Sequence, residues 1–239
     1  MSQERPRRVE ILGCQVSRVD LAGALRELER LLEDQNRHQV ACLTVDSIMI
    51  ARKDPRLRSI YQAATLALPD GIPVVWASRL LGAAVPGRAA GPDLLLALCA
   101  VANRKGYTSY LMGGGAGIAE RLAERLAAAN PGLKIVGTCS PPFLERFPPA
   151  LTDQILARIN AAKPDILWVG LGAGKQDRWI AENLSRLEVR VAIGVGAAFD
   201  MYGAGRGRAP LWMQRWGLEW FYRFLREPRR LFQRYFIEA

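Results

Sequence analysis

Short apolar runs alternate with stretches of helical period along most of this chain. Val9–Val19 reads as a pair of strands turning near Gly13. Asp20 then caps a helix over Leu21–Glu33 that sets Leu21, Leu25, Leu28, Leu31 and Leu32 on one face. Gln39–Val45 predicts a buried strand, Ser47–Lys53 and Pro55–Ala64 two helices, and Leu66–Leu68 a short strand that ends at Pro69-Asp70-Gly71. Ile72–Leu81 and Pro92–Asn103 are helical. Thr108–Met112, Leu133–Gly137, Ile166–Leu171 and Val189–Val195 read as strands, with helices at Ile118–Ala129, Leu151–Ala162 and Gln176–Leu184 between them.

Repeated strand–glycine–helix units predict an α/β fold, a Rossmann-like parallel sheet with helices on both faces. In such sheets ligands bind at the carboxyl ends of the strands. The pattern changes after Gly203-Ala204-Gly205. Residues 1–205 therefore form the predicted core and 206–239 an appendage, expected as a helix over Leu211–Arg226 and a shorter one beyond Pro228.

The appendage alters the picture most. It holds Arg206, Arg208, Arg215, Arg223, Arg226, Arg229, Arg230 and Arg234 against three glutamates, in a chain of formal net charge +10. Trp212, Trp216, Trp220 and Phe224 recur every four residues, which on one continuous helix stacks them along a side. Aromatic rings sit well at a membrane interface and guanidinium forks grip phosphate oxygens. A membrane-anchored, phosphorylated acceptor is the implied partner. Packing of the aromatic stripe on the core is the plainer alternative.

No uncharged apolar run approaches the length of a membrane span, and no apolar segment follows the basic start as a signal peptide requires. A cytoplasmic protein, peripheral on the inner face of the plasma membrane, is expected. Cys14, Cys42, Cys99 and Cys139 form no CxxC and there is one histidine, so a zinc site is not expected. The cysteines read as buried free thiols. His38 reads as a solvated residue in a polar loop, Asp34–Gln39.

Candidate chemistry gathers at strand ends. Gly113 to Gly117 can cradle a diphosphate or simply make a tight turn; it is neither GxGxxG nor GxxxxGK[ST]. Asp70 can be a general base or a turn-former. Asp46, in Thr44-Val45-Asp46, falls at the same sheet edge, where it or Ser47 could instead cap a helix. Gln176 can hydrogen-bond a sugar or base, Lys175 can meet a phosphate, and Asp200, after Phe199, can hold a ribose or cap a helix.

In order, these motifs resemble the WecG/TagA/CpsF family of glycosyltransferases, from about Val9 to Tyr235. The most specific part is Gly196-Ala197-Ala198-Phe199-Asp200, Gly205, Arg208-Ala209-Pro210, Gly217-Leu218-Glu219-Trp220, Tyr222-Arg223 and Glu227-Pro228-Arg229-Arg230. Upstream lie Asp70-Gly71, Arg79-Leu80-Leu81-Gly82, Arg88, Gly91, Asp93-Leu94, Gly113-Gly114 and Lys175-Gln176. The resemblance implies inverting, metal-independent transfer from a UDP-sugar to a polyprenyl-diphosphate-linked sugar in cell-surface polysaccharide synthesis, with no cofactor. It implies Asp70 as base. Thr44, Asp46, Arg88, Gly113, Gly114, Gly172, Lys175, Gln176, Phe199 and Asp200 fall around the donor. Arg208, Arg223, Arg226, Arg229, Arg230 and Arg234, with Trp212, Trp216 and Trp220, fall at the acceptor diphosphate and the membrane. It further implies a homo-oligomer and a tail that closes over the site.

The chain departs from the family in two places. Thr44-Val45-Asp46 stands where the family has Thr-x-Asn, which leaves N-acetylmannosamine and another hexose such as glucose both open as donor sugars. Gly174-Lys175-Gln176-Asp177 stands for Pro-Lys-Gln-Glu. The alternative reading is a basic nucleic-acid-binding protein stacking bases on its Arg/Trp tail. The regular helical spacing and the absence of a nucleic-acid motif count against it. A nicotinamide-dependent oxidoreductase lacks the acidic residue after the Leu133–Gly137 strand.

Overall fold

The computed structural model describes residues 6–226 and residue 228. A small antiparallel hairpin, β1 (Arg8–Ile11) and β2 (Cys14–Ser17), turns at Gly13, whose φ of 82° suits glycine. The remaining strands form one sheet: β3 (His38–Leu43), β4 (Leu66–Pro69), β5 (Thr108–Gly113), β6 (Lys134–Cys139), β7 (Ile166–Gly170) and β8 (Val191–Gly194). Their order is β4-β3-β8-β7-β5-β6 and every pairing is parallel.

Most of these strands are apolar on both sides, as a parallel sheet covered twice requires. On β3, Val40 and Cys42 join one cluster while Ala41 and Leu43 join another. On β7, Ile166 and Trp168 alternate in the same way with Leu167 and Val169. One face is covered by α1 (Leu21–Glu33), α5 (Gly91–Lys105) and α6 (Ile118–Ala129). The other is covered by α2 (Val45–Lys53), α3 (Pro55–Ala63), α4 (Ile72–Leu80) and the hairpin at one end, and by α7 (Pro149–Ala162) and α8 (Lys175–Asn183) at the other. The predicted α/β class holds. Asp20 caps α1 as expected, its Oδ1 accepting from Gly23 N–H at 2.8 Å.

Four local expectations are corrected. The third strand stops at Leu43, because Thr44 turns the chain into α2: its hydroxyl accepts from Ser47 N–H at 3.1 Å. The helix cap is therefore Thr44, not Asp46 or Ser47. His38 is not a solvated loop residue. It is buried on β3, with Nδ1 3.3 Å from Thr65 Oγ1 and Nε2 3.4 Å from Asp34.

The fourth correction concerns the appendage. It does not form one helix over Leu211–Arg226. It splits into α9 (Leu211–Arg215) and α10 (Glu219–Arg226), separated at Gly217, whose φ is 68°. Trp212, Trp216 and Trp220 thus fall on α9, at its end and on α10, and they do not share one helical side. All three rings are exposed, so they are not core packing. A five-residue π-helical turn, Phe199–Gly203, also follows β8, with no signal in the hydrophobic pattern. The second tail helix expected after Pro228, and Arg229, Arg230 and Arg234, lie outside the described residues, as does the Arg223 side chain.

Candidate active site

The sheet order places a crevice. From β5 the chain runs outward to β6, whereas from β7 it runs the opposite way to β8. The connections leaving their carboxyl ends therefore run apart, which is where ligands of such folds settle. Gly113 ends β5, Gly114 comes directly after it, and Gly172 follows β7. The first two are dictated by space. A methyl group at Gly113 would fall 2.5 Å from Gly170 O, and one at Gly114 would fall 2.6 Å from Ile118. Gly114 N–H donates to Gly170 O at 3.0 Å, which ties this glycine loop to the next strand rather than aiming that donor at a ligand.

Gln176, in the first turn of α8, is buried and its Oε1 accepts from Gly196 N–H at 3.0 Å. It therefore links the β7 and β8 loops. Lys175 Nζ sits 4.9 Å from the ring centre of Phe143 and 5.5 Å from that of Phe147. Partial burial lowers its pKa, with Glu145 opposing. Phe199 is 1% exposed and packs onto Gly170, where a Cβ would meet its ring at 2.4 Å. It shapes the crevice floor and offers no open face. Asp200, on the π-helical turn, lines a hollow with Met201, Arg206, Gly207, Tyr222 and Arg226. The structure thus brings Asp200 together with the tail residue Arg226, whose guanidinium donates to Arg206 O at 2.6 Å and lies 5.2 Å from the Tyr222 ring.

Asp70 follows β4 at the same sheet edge as Asp46, with Asp70 N–H donating to Leu43 O at 3.0 Å. Its Oδ2 accepts from Gly91 N–H, the first residue of α5, at 3.1 Å. The positive end of that helix favours a carboxylate. Ala89 N–H donates to Pro69 O at 2.8 Å, so the strap carrying Arg88 runs alongside.

Arg88 does not stand alone. Its guanidinium lies 3.2 Å from Asp93 and 3.6 Å from Glu219, and donates to Gln214 Oε1 at 3.1 Å. Arg208 lies between the same two carboxylates, hydrogen-bonded to Asp93 and at 2.8 Å from Glu219. Burial opposes the charge of Arg208, but its bonds to Asp93 and Glu219 outweigh that and raise its pKa. Arg208, expected at an acceptor diphosphate, is instead engaged in a two-plus, two-minus cluster that pins the appendage to the core. Sequence reasoning did not assign Asp93, Glu219 or Gln214 a role. The available signal was that residues 71–92 and 201–218 contain no acid, and that one acid closes each stretch.

A buried acid under the β7 loop was also missed. Asp177 is 2% exposed; its Oδ2 accepts from Tyr61 OH and from Gly174 N–H, each at 3.1 Å. Burial pushes its pKa up from 3.8 to about 6, against the pull of those hydrogen bonds. A folded-state value above the unfolded one means that stability from this group is fully present below pH 3.8 and is lost as pH rises through about 6. Relative to Asp177→Asn, the wild type should therefore lose roughly 2 kcal/mol of unfolding free energy between pH 4 and pH 7. Urea titrations of both proteins across that window check this. Parallel curves would mean that Asp177 ionises normally.

Among the described residues no three His, Cys, Asp or Glu side chains cluster as a metal site needs, and no helix is long and apolar enough to cross a membrane. Comparison with known proteins adds the family. A model of the glycosyl transferase WecG/TagA/CpsF family matches residues 9–239. An N-acetylglucosaminyldiphosphoundecaprenol N-acetyl-beta-D-mannosaminyltransferase of Bacillus subtilis is 32% identical over 212 residues, covering 88% of this chain and 80% of the relative. An enzyme of the same name from Bacillus spizizenii is 30% identical over 214 residues, with the same coverage. The chain belongs to the WecG/TagA/CpsF family of glycosyltransferases.

Proposed function

We propose that this protein is an inverting, metal-independent glycosyltransferase. It moves a sugar from a UDP-sugar to a polyprenyl-diphosphate-linked sugar at the inner face of the plasma membrane, in cell-surface polysaccharide synthesis. The observation that carries the reading is Asp70, oriented by Gly91 N–H at a strand end beside the strap that holds Arg88. The acceptor hydroxyl oxygen attacks the anomeric carbon from the face opposite UDP. The carbon–oxygen bond to UDP breaks, its electron pair leaves with the diphosphate, and the hydroxyl proton passes to Asp70. Charge growing on the departing diphosphate needs cations placed in advance. The appendage arginines outside the Arg88–Arg208 cluster, Arg226 among them, are assigned that work.

The names of the two Bacillus relatives favour N-acetylmannosamine as the sugar and a diphosphoundecaprenol-linked N-acetylglucosamine as acceptor. Asp46 keeps another hexose such as glucose in play, because a carboxylate contacts sugar hydroxyls as an acceptor alone, where an amide also donates. Asp200 and the hollow it shares with Arg206 and Arg226 suit the nucleotide half of the donor.

UDP release from a panel of UDP-sugars, with a short polyprenyl-diphosphate-sugar acceptor, tests this directly. Release should require acceptor and survive EDTA, and the best donor identifies the sugar. Loss of release in EDTA, restored by a divalent ion, would overturn metal independence. No binding of UDP would overturn the donor class.

A further inference from the structure

We infer that the membrane-facing surface is built from two segments, and that the far end of α4 enters an anionic bilayer together with the tryptophan-bearing appendage. This rests on the peripheral-membrane reading proposed above. The appendage packs directly on α4: a methyl group at Gly217 would lie 3.3 Å from Ile72 Cβ and 3.4 Å from Trp76 Cη2. Val74, Val75 and Ser78 bury the opposite side of α4, while Ile72, Trp76 and Leu80 follow at steps of four along the outer side. Trp76 is exposed, Leu80 is 89% exposed and Leu81 continues the stripe past the helix end. On the adjoining appendage, Trp216 is 70% exposed and Leu211 and Trp212 stand open beside it. Single exposed leucines are ordinary, but large apolar residues massed on two adjacent segments mark an interaction face.

Charge says what covers it. Residues 71–92 and 201–218, which supply this face, contain no aspartate or glutamate. Arg79 and Arg215 are exposed on the two segments, and Arg18, also exposed, donates to Ala84 O beside the α4 end. Apolar rings and leucines on two acid-free segments that carry exposed arginines complement a bilayer with anionic headgroups. Leu80 and Leu81 belong to no part of the proposed catalytic or donor-binding set.

Because all four native cysteines are buried, single surface cysteines can be labelled selectively. Leu81→Cys, Trp212→Cys and Arg104→Cys, each carrying an environment-sensitive fluorophore, are mixed with phosphatidylglycerol vesicles and with phosphatidylcholine vesicles. Position 104, exposed near the end of α5 on the other face of the sheet, serves as the control. Positions 81 and 212 should both brighten and shift to the blue on the anionic vesicles, and 104 should not. Brightening at 212 alone would overturn the α4 contribution and leave the membrane reading intact. Brightening at neither would remove the membrane reading itself. In a second measurement, Leu80→Glu with Leu81→Glu should unfold at the wild-type temperature and partition onto anionic vesicles on the order of 10–100-fold more weakly. If that double variant instead converts a wild-type dimer to monomers, and neither protein binds vesicles, the face belongs to a second copy of this chain and the proposal falls.

Discussion

Asp70→Asn is expected to lower the rate of sugar transfer by about 10²–10⁴-fold while leaving UDP affinity near that of the wild type. The asymmetry follows from what the side chain does. Its Oδ2 accepts from Gly91 N–H at 3.1 Å, and an amide oxygen in the same place can accept that bond. The β4 edge and the start of α5 should therefore keep their arrangement, and thermal unfolding of the variant checks that they do. An amide cannot take a proton from an attacking hydroxyl, so an interaction made only in the transition state is lost. Single-turnover transfer measured beside UDP binding by calorimetry separates the two. Transfer at close to the wild-type rate would remove Asp70 as the base and turn attention to Asp46, at the same edge. Loss of both transfer and UDP binding would make Asp70 a structural residue of the crevice.

The sheet was legible because its strands are short, apolar and separated by glycine turns, and because helical period returns after each one. Asp20, Pro55 and Gly13 act locally, through a cap, a first-turn proline and a left-handed turn, and each is where the sequence places it. Errors arose where a distant partner decides the outcome. His38 looks like a loop residue until Thr65 and Asp34 bury it. The four-residue aromatic spacing of the tail argues for one helix, yet Gly217 breaks it, and Gly217 is fixed by α4 from far upstream in the chain. Asp46 and Ser47 were the cap candidates, yet Thr44, implied by the resemblance to lie around the donor, supplies the capping hydroxyl. The cluster of Arg88, Asp93, Arg208 and Glu219 joins two segments more than a hundred positions apart, and the acid that closes each acid-free stretch does not by itself say that the two meet.

That cluster carries the second large prediction. Arg208→Met should leave Asp93 and Glu219 sharing Arg88 alone, one cation against two carboxylates. Removing one member of a buried charge cluster costs about 3–5 kcal/mol, because its partners stay desolvated. Here the Arg208 side chain is 13% exposed but the carboxylates are about a quarter exposed, so screening brings the expected loss nearer 2–3 kcal/mol. The larger consequence is positional. Glu219 opens α10 and Gln214 sits in α9, so the cluster holds both appendage helices against the strap of Arg88, beside Asp70. Released, the appendage no longer presents Tyr222 and Arg226 to the hollow of Asp200. Transfer should fall on the order of 10²-fold, as expected when positioning is lost with the chemistry intact. Proteolytic cleavage near residues 204–207 should rise in step. Arg208→Lys should rescue poorly, since an ammonium cannot bridge two carboxylates as the planar fork does. Arg208→Met combined with Glu219→Gln restores charge balance. If the pair regains stability but not transfer, Arg208 positions the appendage; if Arg208→Met alone transfers at the wild-type rate, docking of the appendage plays no part in the reaction.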